Sequence, residues 1–290
     1  MKNMFMAVIA LIMTISASAQ FYIYFSDGTV AKVDSISMMA PTYNETPGIG
    51  VFSVAEGKQV TFSPGNLQYT QSTNTWSFAE NQYDYLGEAN IAIDADVLLA
   101  DKVDLFGWST RTTNFGVSTS TSNTDYLASF VDWGTNKIGN DAPNTWRTLS
   151  YDEWGYLLET RSNASSLCGV AQVNGVNGLI LLPDNWTSPA GVTFKSGFHS
   201  NYGVDYYAAY QTFTAEQWSK LESSGAVFLP AAGYRGGSGV VSVQYNGNYW
   251  SATENNSYYA YYLYFNSGEA YMLDINRYGG LSVRLIKDLQ

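Results

Sequence analysis

The chain holds few side chains that act as nucleophiles, acid–base catalysts or soft metal ligands. Cys168 is its single cysteine and His199 its single histidine. One cysteine cannot form an internal disulfide, and one histidine cannot supply a His-based metal cage or a zinc finger. No histidine or basic residue lies close to Cys168 in the sequence to activate its thiol. We therefore predict a small packed cysteine and a binding protein rather than an enzyme, with no cofactor and no metal.

Oxygen ligands for a hard cation such as calcium remain an open alternative, because such a site needs neither cysteine nor histidine. Asp94, Asp96, Asp101 and Asp104 cluster in the sequence, but as a group they match no loop template. The segment Leu182–Trp186 contains Pro-Asp-Asn, which is turn chemistry. We therefore predict a turn there rather than a set of ligands.

The segment Tyr245–Tyr278 has the most distinctive composition, with nine tyrosines and six asparagines. Tyrosine buries area at a low entropic cost, and asparagine and serine hydrogen-bond to varied partners, so this mixture is typical of adaptable binding surfaces. Ordinary strand composition with a solvated polar face is the alternative explanation. We hypothesise that this segment binds a ligand.

A β-hairpin is predicted inside this segment, turning at Ser267-Gly268. Alternation along its two strands separates an inner from an outer face. The predicted inner face holds Tyr261, Leu263, Phe265, Tyr271, Leu273 and Ile275. The predicted outer face holds Tyr262, Tyr264, Asn266, Met272, Asp274 and Asn276. Together with neighbouring loop residues, the candidate ligand-binding residues are Tyr245, Asn248, Tyr258, Tyr259, Tyr262, Tyr264, Asn266, Asp274 and Asn276.

The overall charge limits the classes of partner. Charged residues make up 13% of the chain and the formal net charge is -11. Such a chain offers few cations to neutralise phosphates, so we expect it to bind neither nucleic acid nor anionic membranes.

The first residues predict export. Lys2 precedes an apolar run from Met4 to Ile15, and Ala17-Ser18-Ala19 is a small-x-small cleavage pattern. We predict a signal peptide over residues 1–19, a mature chain that starts at Gln20, and no membrane span after cleavage. An N-terminal anchor helix is the alternative. The expected location is the periplasm, the cell surface or the medium.

Three further segments follow. Residues 20–39 contain a predicted hairpin, since aromatic and β-branched residues flank the turn signal Asp27-Gly28. Residues 40–50 are rich in proline and glycine and predict a linker. The remaining residues 51–290 form the predicted main domain.

Two helices stand out among the short strands of this domain. Ser150 with Glu153 and Thr214 with Gln217 each have the spacing of a capping box. Apolar residues follow each box at helical spacing. Two short helices among many strands predict an α+β fold.

Several sequence blocks, taken in order, resemble a known family. The block at Trp146–Leu149, with Glu153, Trp154 and Tyr156, is similar to the formylglycine-generating (sulfatase-modifying) enzyme group of C-type-lectin-like proteins. The later blocks resemble the major paralogous domain first named in Fibrobacter and abundant in Bacteroidota; they are Phe228–Arg235, Gly247–Thr253, Tyr262–Phe265 and Gly280–Ile286.

The resemblance implies a C-type-lectin-like domain with two short helices, a twisted antiparallel sheet and termini that lie close together. It implies a scaffold role for four residues. Trp154 and Trp250 are expected to fill the core, and Arg147 and Arg284 to satisfy buried carbonyls or carboxylates.

The enzymatic relatives use chemistry that this chain lacks. Formylglycine-generating enzymes use a pair of copper-binding cysteines, and the related ergothioneine-type oxidases use three histidines at iron. Cys168 and His199 alone supply neither set. The calcium-binding motifs of sugar-binding lectins are also absent.

The predicted function is therefore non-catalytic binding of an extracellular protein or glycan through the C-terminal hairpin and loops. Some C-type-lectin-like proteins are targets of diversity-generating retroelements, which convert Asn codons to Tyr, Ser or Asp, and the bias in this segment fits that pattern as well as family drift. The alternatives are a structural or adhesive surface component without a discrete ligand, and a degenerate sulfatase-modifying-factor-like protein.

Overall fold

The computed structural model describes residues 21–24, 30–33, 50–94, 97–98, 100–109, 121–122, 126 and 128–289. The chain divides into two compact units, Met1–Asn44 and Glu45–Gln290. The predicted signal peptide, the turn at Asp27-Gly28 and nearly all of the predicted linker lie outside the described residues.

The first unit contains a hairpin. Strand β1 (Phe21–Tyr24) pairs with β2 (Val30–Val33) in antiparallel register, with Phe21 opposite Val33. The two strands of the hairpin that was predicted from aromatic and β-branched residues on either side of Asp27-Gly28 are therefore paired.

The second unit holds the remaining strands. Their bounds are β3 (Phe52–Ala55), β4 (Lys58–Phe62), β5 (Leu67–Thr70), β6 (Thr75–Phe78), β7 (Ala92–Asp94), β8 (Val97–Leu98), β9 (Lys102–Val103), β10 (Arg147–Thr148), β11 (Cys168–Val173), β12 (Val176–Leu181), β13 (Thr212–Phe213), β14 (Val227–Pro230), β15 (Tyr234–Gly236), β16 (Gly239–Val241), β17 (Gly247–Glu254), β18 (Tyr259–Asn266), β19 (Glu269–Asn276) and β20 (Leu285–Asp288).

These strands form several small sheets rather than one large sheet. The orders are β10-β20-β4-β3, β13-β11-β12-β14, β17-β18-β19, β6-β5-β9, β15-β16 and β7-β8. Pairing is antiparallel except between β11 and β13. In the first sheet β20 lies beside β4, with Ile286 opposite Phe62, so the last strand of this unit pairs with one of its first strands.

Three α-helices lie in the described part of the unit: α1 (Tyr151–Gly155), α2 (Asp205–Tyr210) and α3 (Ala215–Ser223). A π-helical turn, Tyr156–Thr160, continues α1, and short 3-10 turns occupy Gly87–Asn90, Trp133–Thr135 and Ala164–Ser166. Both predicted capping boxes are formed. Helix α2 was not predicted, because it has six residues and no side-chain cap. The described unit is thus of the α+β class.

Two core clusters position the C-terminal strands. The first core cluster includes Phe52, Trp154, Leu157, Leu229, Tyr249, Leu263 and Phe265. The second core cluster includes Trp108, Trp133, Trp250, Ala260, Tyr262, Leu281 and Val283. Trp154 and Trp250 are both fully buried, so the expected scaffold role of these two tryptophans is confirmed.

The sheet β17-β18-β19 lies between these two clusters. Tyr249 and Leu263 project into the first cluster, whereas Trp250 and Tyr262 project into the second. Strands that are buried on both faces lose the simple alternation of apolar and polar residues. The expectation of a solvated outer face on β18 is therefore wrong.

The two arginines differ in their surroundings. Arg284 is fully buried and donates to the Phe228 carbonyl at 3.4 Å and to Gln82 Oε1 at 2.5 Å. Arg147 is partly exposed and forms ion pairs with Glu153 at 2.8 Å and Asp288 at 2.7 Å. Each arginine satisfies oxygen acceptors, as the resemblance implied.

Candidate binding surface

A polar loop joins β17 to β18, and the last loop residue and the first residue of β18 are exposed tyrosines. Tyr258 keeps 56% and Tyr259 37% of its surface accessible. The side chain of Asn256 accepts hydrogen bonds from the backbone N–H groups of Tyr258, at 2.9 Å, and Tyr259, at 3.1 Å. The loop therefore has a defined conformation that holds both rings at the surface.

Arg277 anchors this loop from beneath. Its guanidinium is buried and donates to the Glu254 carboxylate at 2.8 Å, to the Asn256 carbonyl and to the Tyr126 carbonyl at 3.0 Å. The same group lies 4.4 Å from the centroid of the Trp108 ring. A planar group with several donors in a fixed arrangement suits this task better than a flexible ammonium. The exposed loop is thus fastened to the second core cluster.

An aromatic contact connects the loop with helix α1. The rings of Tyr151 and Tyr261 lie 4.4 Å apart between centroids. The hydroxyl of Tyr261 donates to Asn255 Oδ1 at 3.1 Å. Tyr261 therefore links the loop that carries Tyr258 to helix α1.

Beyond this contact, a groove of about 370 Å³ runs between α1 and β19. Its lining includes Tyr151, Asp152, Tyr156, Glu159, Tyr271 and Met272. Neither Asp152 nor Glu159 forms an ion pair with another described residue, and both are exposed. Asp274 on β19 is also exposed and also forms no ion pair with another described residue. The groove is therefore aromatic and acidic.

The outer edge of β19 carries backbone groups that have no partner among the described residues. Ser282 bonds to the Asn248 carbonyl and the Trp250 N–H, each at 3.0 Å. Asn248 and Trp250 therefore direct these backbone groups away from β18. Tyr249 lies between them on β17, so its N–H and C=O groups point to Leu263 on β18. Hydrogen bonding alternates along an antiparallel strand, so Tyr262 and Tyr264 bond instead to their partners on β19.

It follows that Tyr271 and Leu273 direct their backbone groups toward β18, and that Ala270, Met272 and Asp274 direct theirs away from the sheet. No hydrogen bond from another described element reaches the N–H or C=O groups of these three residues. An edge strand of this kind is a template for pairing with another chain.

Three of the predicted binding residues are buried and are not available to a ligand. Asn248 is 3%, Tyr262 7% and Asn266 3% exposed. Asn248 donates to the Gly233 carbonyl at 3.0 Å, and Asn266 accepts from the Gly268 N–H at 2.7 Å across the hairpin turn. These asparagines satisfy the backbone inside the fold, and Tyr262 packs in the second core cluster.

The predicted face assignment of β19 is also wrong, although its turn is correct. Asn266 pairs with Glu269 around Ser267-Gly268, so Tyr264 lies opposite Tyr271 and shares its face. Their rings lie 5.4 Å apart. The prediction had placed these two tyrosines on opposite faces, because it displaced the second strand by one residue.

The remaining predicted residues divide between the two ends of the sheet. Tyr258, Tyr259, Asp274 and Asn276 lie at the end that carries the polar loop. Tyr245 is 38% exposed but precedes β17 at the opposite end, where its carbonyl accepts a hydrogen bond from the Tyr207 hydroxyl at 2.9 Å. Tyr264, half-buried, lies near the turn. The structure therefore does not bring all nine residues together.

Sequence reasoning missed Tyr151, Tyr156 and Arg277. The two tyrosines belong to a helix that was interpreted only through its apolar face and its capping box. Arg277 is the second-to-last residue of the tyrosine-rich segment and its one arginine, and this was the available signal. Nothing local indicates that it reaches Tyr126, which lies far away in the sequence.

Cys168 and His199, the other residues considered for chemistry, both lie in structural environments, and Cys168 is buried in the first core cluster. Burial raises the pKa of the Cys168 thiol. His199 stacks on Tyr206 at 4.6 Å and accepts a hydrogen bond from the Asn201 N–H at 2.9 Å. Within the described residues no group of three His, Cys, Asp or Glu side chains is arranged to hold a metal ion.

The side chains of Asp94 and Asp96 lie outside the described residues, and the described aspartates have separate partners. Asp101 accepts from Ser72, whereas Asp104 is buried and accepts from Asn90 Nδ2 at 2.7 Å. Asp184 lies in the predicted turn and forms an ion pair with Arg161 at 3.1 Å. These carboxylates therefore cross-link separate parts of the fold.

Residues 209–286 match a family model described as a domain of unknown function (DUF8237). No curated protein and no solved structure matches the chain. The matched segment includes α3, the whole β17-β18-β19 sheet and its polar loop, but not α1. The described residues contain no helix of the length and apolar character needed to cross a membrane.

Proposed function

We propose that this chain is an exported, non-catalytic binding protein with a C-type-lectin-like domain, and that its ligand is an extracellular protein or glycan. The binding surface consists of the loop with Tyr258 and Tyr259 and the adjoining tyrosines of β18 and α1. This differs from the surface expected from strand alternation, since Tyr262 and Asn266 are excluded by burial.

The observation that carries the proposal is the pairing of two exposed rings with a buried anchor. Tyr258 and Tyr259 stand on a loop that Arg277 fastens to the core through three acceptors. A surface that is already ordered loses little conformational entropy on binding. Tyrosine is also a frequent anchor of interfaces, because it combines apolar area with a hydroxyl.

The lectin-like fold is supported by the α+β architecture, by the pairing of β20 with β4, and by the positions of Trp154 and Trp250. Export is supported by the sequence of residues 1–19 alone. Binding rather than catalysis is supported by the burial of Cys168 in the first core cluster and by the ring stacking and hydrogen bond of His199.

A glycan array and a pull-down from extracellular material, both with the mature chain, test the proposal. The variants Tyr258→Ala and Tyr259→Ala are expected to fold normally and to lose about tenfold or more in affinity for whatever ligand is identified. Tyr245→Ala is the matched control, because its ring is as exposed as that of Tyr259 but lies at the other end of β17.

If the control variant loses affinity as strongly as the two loop variants, the surface is misplaced. If neither screen yields a ligand, a structural or adhesive role without a discrete ligand replaces the proposal.

A further inference from the structure

We infer that the open edge of β19 binds an extended, basic peptide segment as an added fourth strand. This inference deepens the proposed function, on which it rests, by naming the class of ligand and the mode of recognition. It depends on the backbone of β19 and on the acidic groove beside it rather than on the loop tyrosines.

The first argument is the geometry of the edge. The N–H and C=O groups of Ala270, Met272 and Asp274 point away from the sheet and have no partner among the described residues. Strand β19 has eight residues, so the edge is long enough to pair with an extended peptide over several residues. Backbone hydrogen bonds of this kind supply affinity that is independent of sequence, and side-chain pockets on alternate positions supply specificity.

The second argument is that the edge has few of the features that protect sheet edges in proteins. Natural edges are blunted by lysine, proline or bulges. Strand β19 contains none of these, since its sequence is Glu-Ala-Tyr-Met-Leu-Asp-Ile-Asn and its register with β18 is continuous. Leu273 is 36% exposed in the middle of the strand.

The third argument is charge complementarity. Side chains of an added strand would alternate between two faces. One face would meet the groove, where Asp152 and Glu159 form no ion pair with another described residue, together with Asp274 of β19. The other face would meet Leu273 and Ile275. The matching ligand therefore alternates lysine or arginine with apolar residues.

The same charges disfavour a second copy of this chain as the occupant. Pairing of two β19 strands would bring the carboxylates of both copies together, and like charges across a strand pair are destabilising. An acidic partner is disfavoured for the same reason.

The test uses the full mature chain and short labelled peptides, with binding followed by fluorescence anisotropy. The probes are a peptide of alternating Val and Lys, its counterpart with Glu in place of Lys, and a version of the Val-Lys peptide with N-methylated alternate residues. We expect the Val-Lys peptide to bind at least about tenfold more tightly than either of the others. The Val-Glu peptide loses the charge attraction, and the N-methylated peptide loses backbone donors.

Two substitutions at Asp274 separate the contribution of its backbone N–H to peptide binding from the contribution of its charge. Asp274→Pro removes an outward N–H but no hydrogen bond to β18, because the N–H of Asp274 points away from the sheet. Proline is tolerated at an edge position of this kind. This substitution is expected to weaken binding of the Val-Lys peptide at least about tenfold. Asp274→Ala keeps the N–H and is expected to weaken it by only about threefold, as for the loss of one exposed charge.

The double variant Asp152→Asn/Glu159→Gln checks the groove and is expected to reduce the preference for Val-Lys over Val-Glu. The melting temperature of each variant shows whether it is folded. If Asp274→Pro is unfolded, the N-methylated peptide still tests the backbone contact, because it is measured on the unaltered chain.

Equal binding of the Val-Lys and Val-Glu peptides, or undiminished binding of the N-methylated peptide, overturns the inference. A concentration-dependent dimer that Asp274→Pro abolishes would instead assign the edge to a second copy. If no peptide binds while a Tyr258-dependent ligand is found, the edge inference fails and the proposed function stands.

Discussion

The Arg277 guanidinium donates to the Glu254 carboxylate at 2.8 Å, yet the two side chains differ sharply in exposure, at 1% for Arg277 and 63% for Glu254. An ion pair with one member in water contributes little by itself. The larger contribution comes from the two backbone carbonyls, of Tyr126 and Asn256, that the buried arginine also satisfies.

This relationship gives the first prediction. Arg277→Ala is expected to destabilise the fold by about 2–4 kcal/mol, because it leaves buried acceptors unpaired. Glu254→Gln is expected to cost less than about 1 kcal/mol, since an amide oxygen replaces an exposed carboxylate. Urea unfolding of both variants measures the difference. Equal losses in the two variants would show that the ion pair, and not the carbonyl contacts, holds the loop.

The second prediction concerns two tyrosines of one hairpin. Tyr262 packs in the second core cluster, with its ring 6.3 Å from that of Trp250, whereas Tyr258 is 56% exposed. Tyr262→Ala is expected to cost about 3–5 kcal/mol through the cavity it leaves. Tyr258→Ala is expected to remain within about 0.5 kcal/mol of the parent, as surface changes usually do. Thermal and urea unfolding decide between them, and a stable Tyr262→Ala variant would contradict the buried placement.

The third prediction concerns the pH dependence contributed by Glu153. Burial by itself would raise the pKa of Glu153, but hydrogen bonds from Arg147, Lys58 and the Ser150 N–H outweigh it and lower the pKa from 4.5 to about 2. A depressed folded-state pKa stabilises the protein above pH 4.5, and that stability is lost as the pH falls toward 2.

Glu153→Gln is therefore expected to be less stable than the parent by about 3 kcal/mol at neutral pH, at 1.36 kcal/mol per pKa unit. The difference should shrink as the pH falls from about 4.5 to about 2. Unfolding free energies measured across this range check it. Glu159→Gln, a substitution on the exposed side of the following turn, is the control. A difference that does not change with pH would rule out the ion-pair explanation.

The fourth prediction has the opposite sign and concerns Asp104. Burial raises the pKa of this carboxyl from 3.8 to about 6, against the opposing effect of hydrogen bonds from Asn90 and the Leu86 N–H. A raised folded-state pKa means that the stabilising effect of Asp104 is complete below pH 3.8 and is lost as the pH rises through about 6.

The parent is accordingly expected to lose about 3 kcal/mol relative to Asp104→Asn between these pH values, at 1.36 kcal/mol per pKa unit. The quantity to measure is the difference in unfolding free energy between the two proteins at a series of pH values. Parallel curves for parent and variant would show that the pKa of Asp104 is the same in the folded and unfolded states, which contradicts the effect of burial.

Local patterns predicted a substantial part of this structure. The capping boxes at Ser150 and Thr214 and the turn at Ser267-Gly268 depend on residues within a few positions of one another, so the sequence shows their partners directly. The mixture of short helices and many strands predicted the α+β class for the same reason. The tryptophans at 154 and 250 are large apolar side chains that a core readily accommodates.

The position of the binding surface depended on tertiary structure. Alternation identifies a solvated face only when one side of a sheet is open, and here Trp108 and Leu281, distant in sequence, cover the second face of β18. This cover buries Tyr262, whereas Tyr258 and Tyr259 remain exposed. No local pattern reports which residues will cover a strand.

Contacts between elements that are distant in the sequence also depended on the tertiary structure. Composition alone determined that tyrosines are abundant, that charged side chains are few and that cysteine and histidine chemistry is minimal. Only the packed chain places Tyr151 against Tyr261, joins Arg277 to Tyr126 and leaves β19 at the edge of the sheet formed by the described strands. The physical reason is that burial and strand pairing are set by residues far apart in the sequence, whereas caps and turns are set by neighbours.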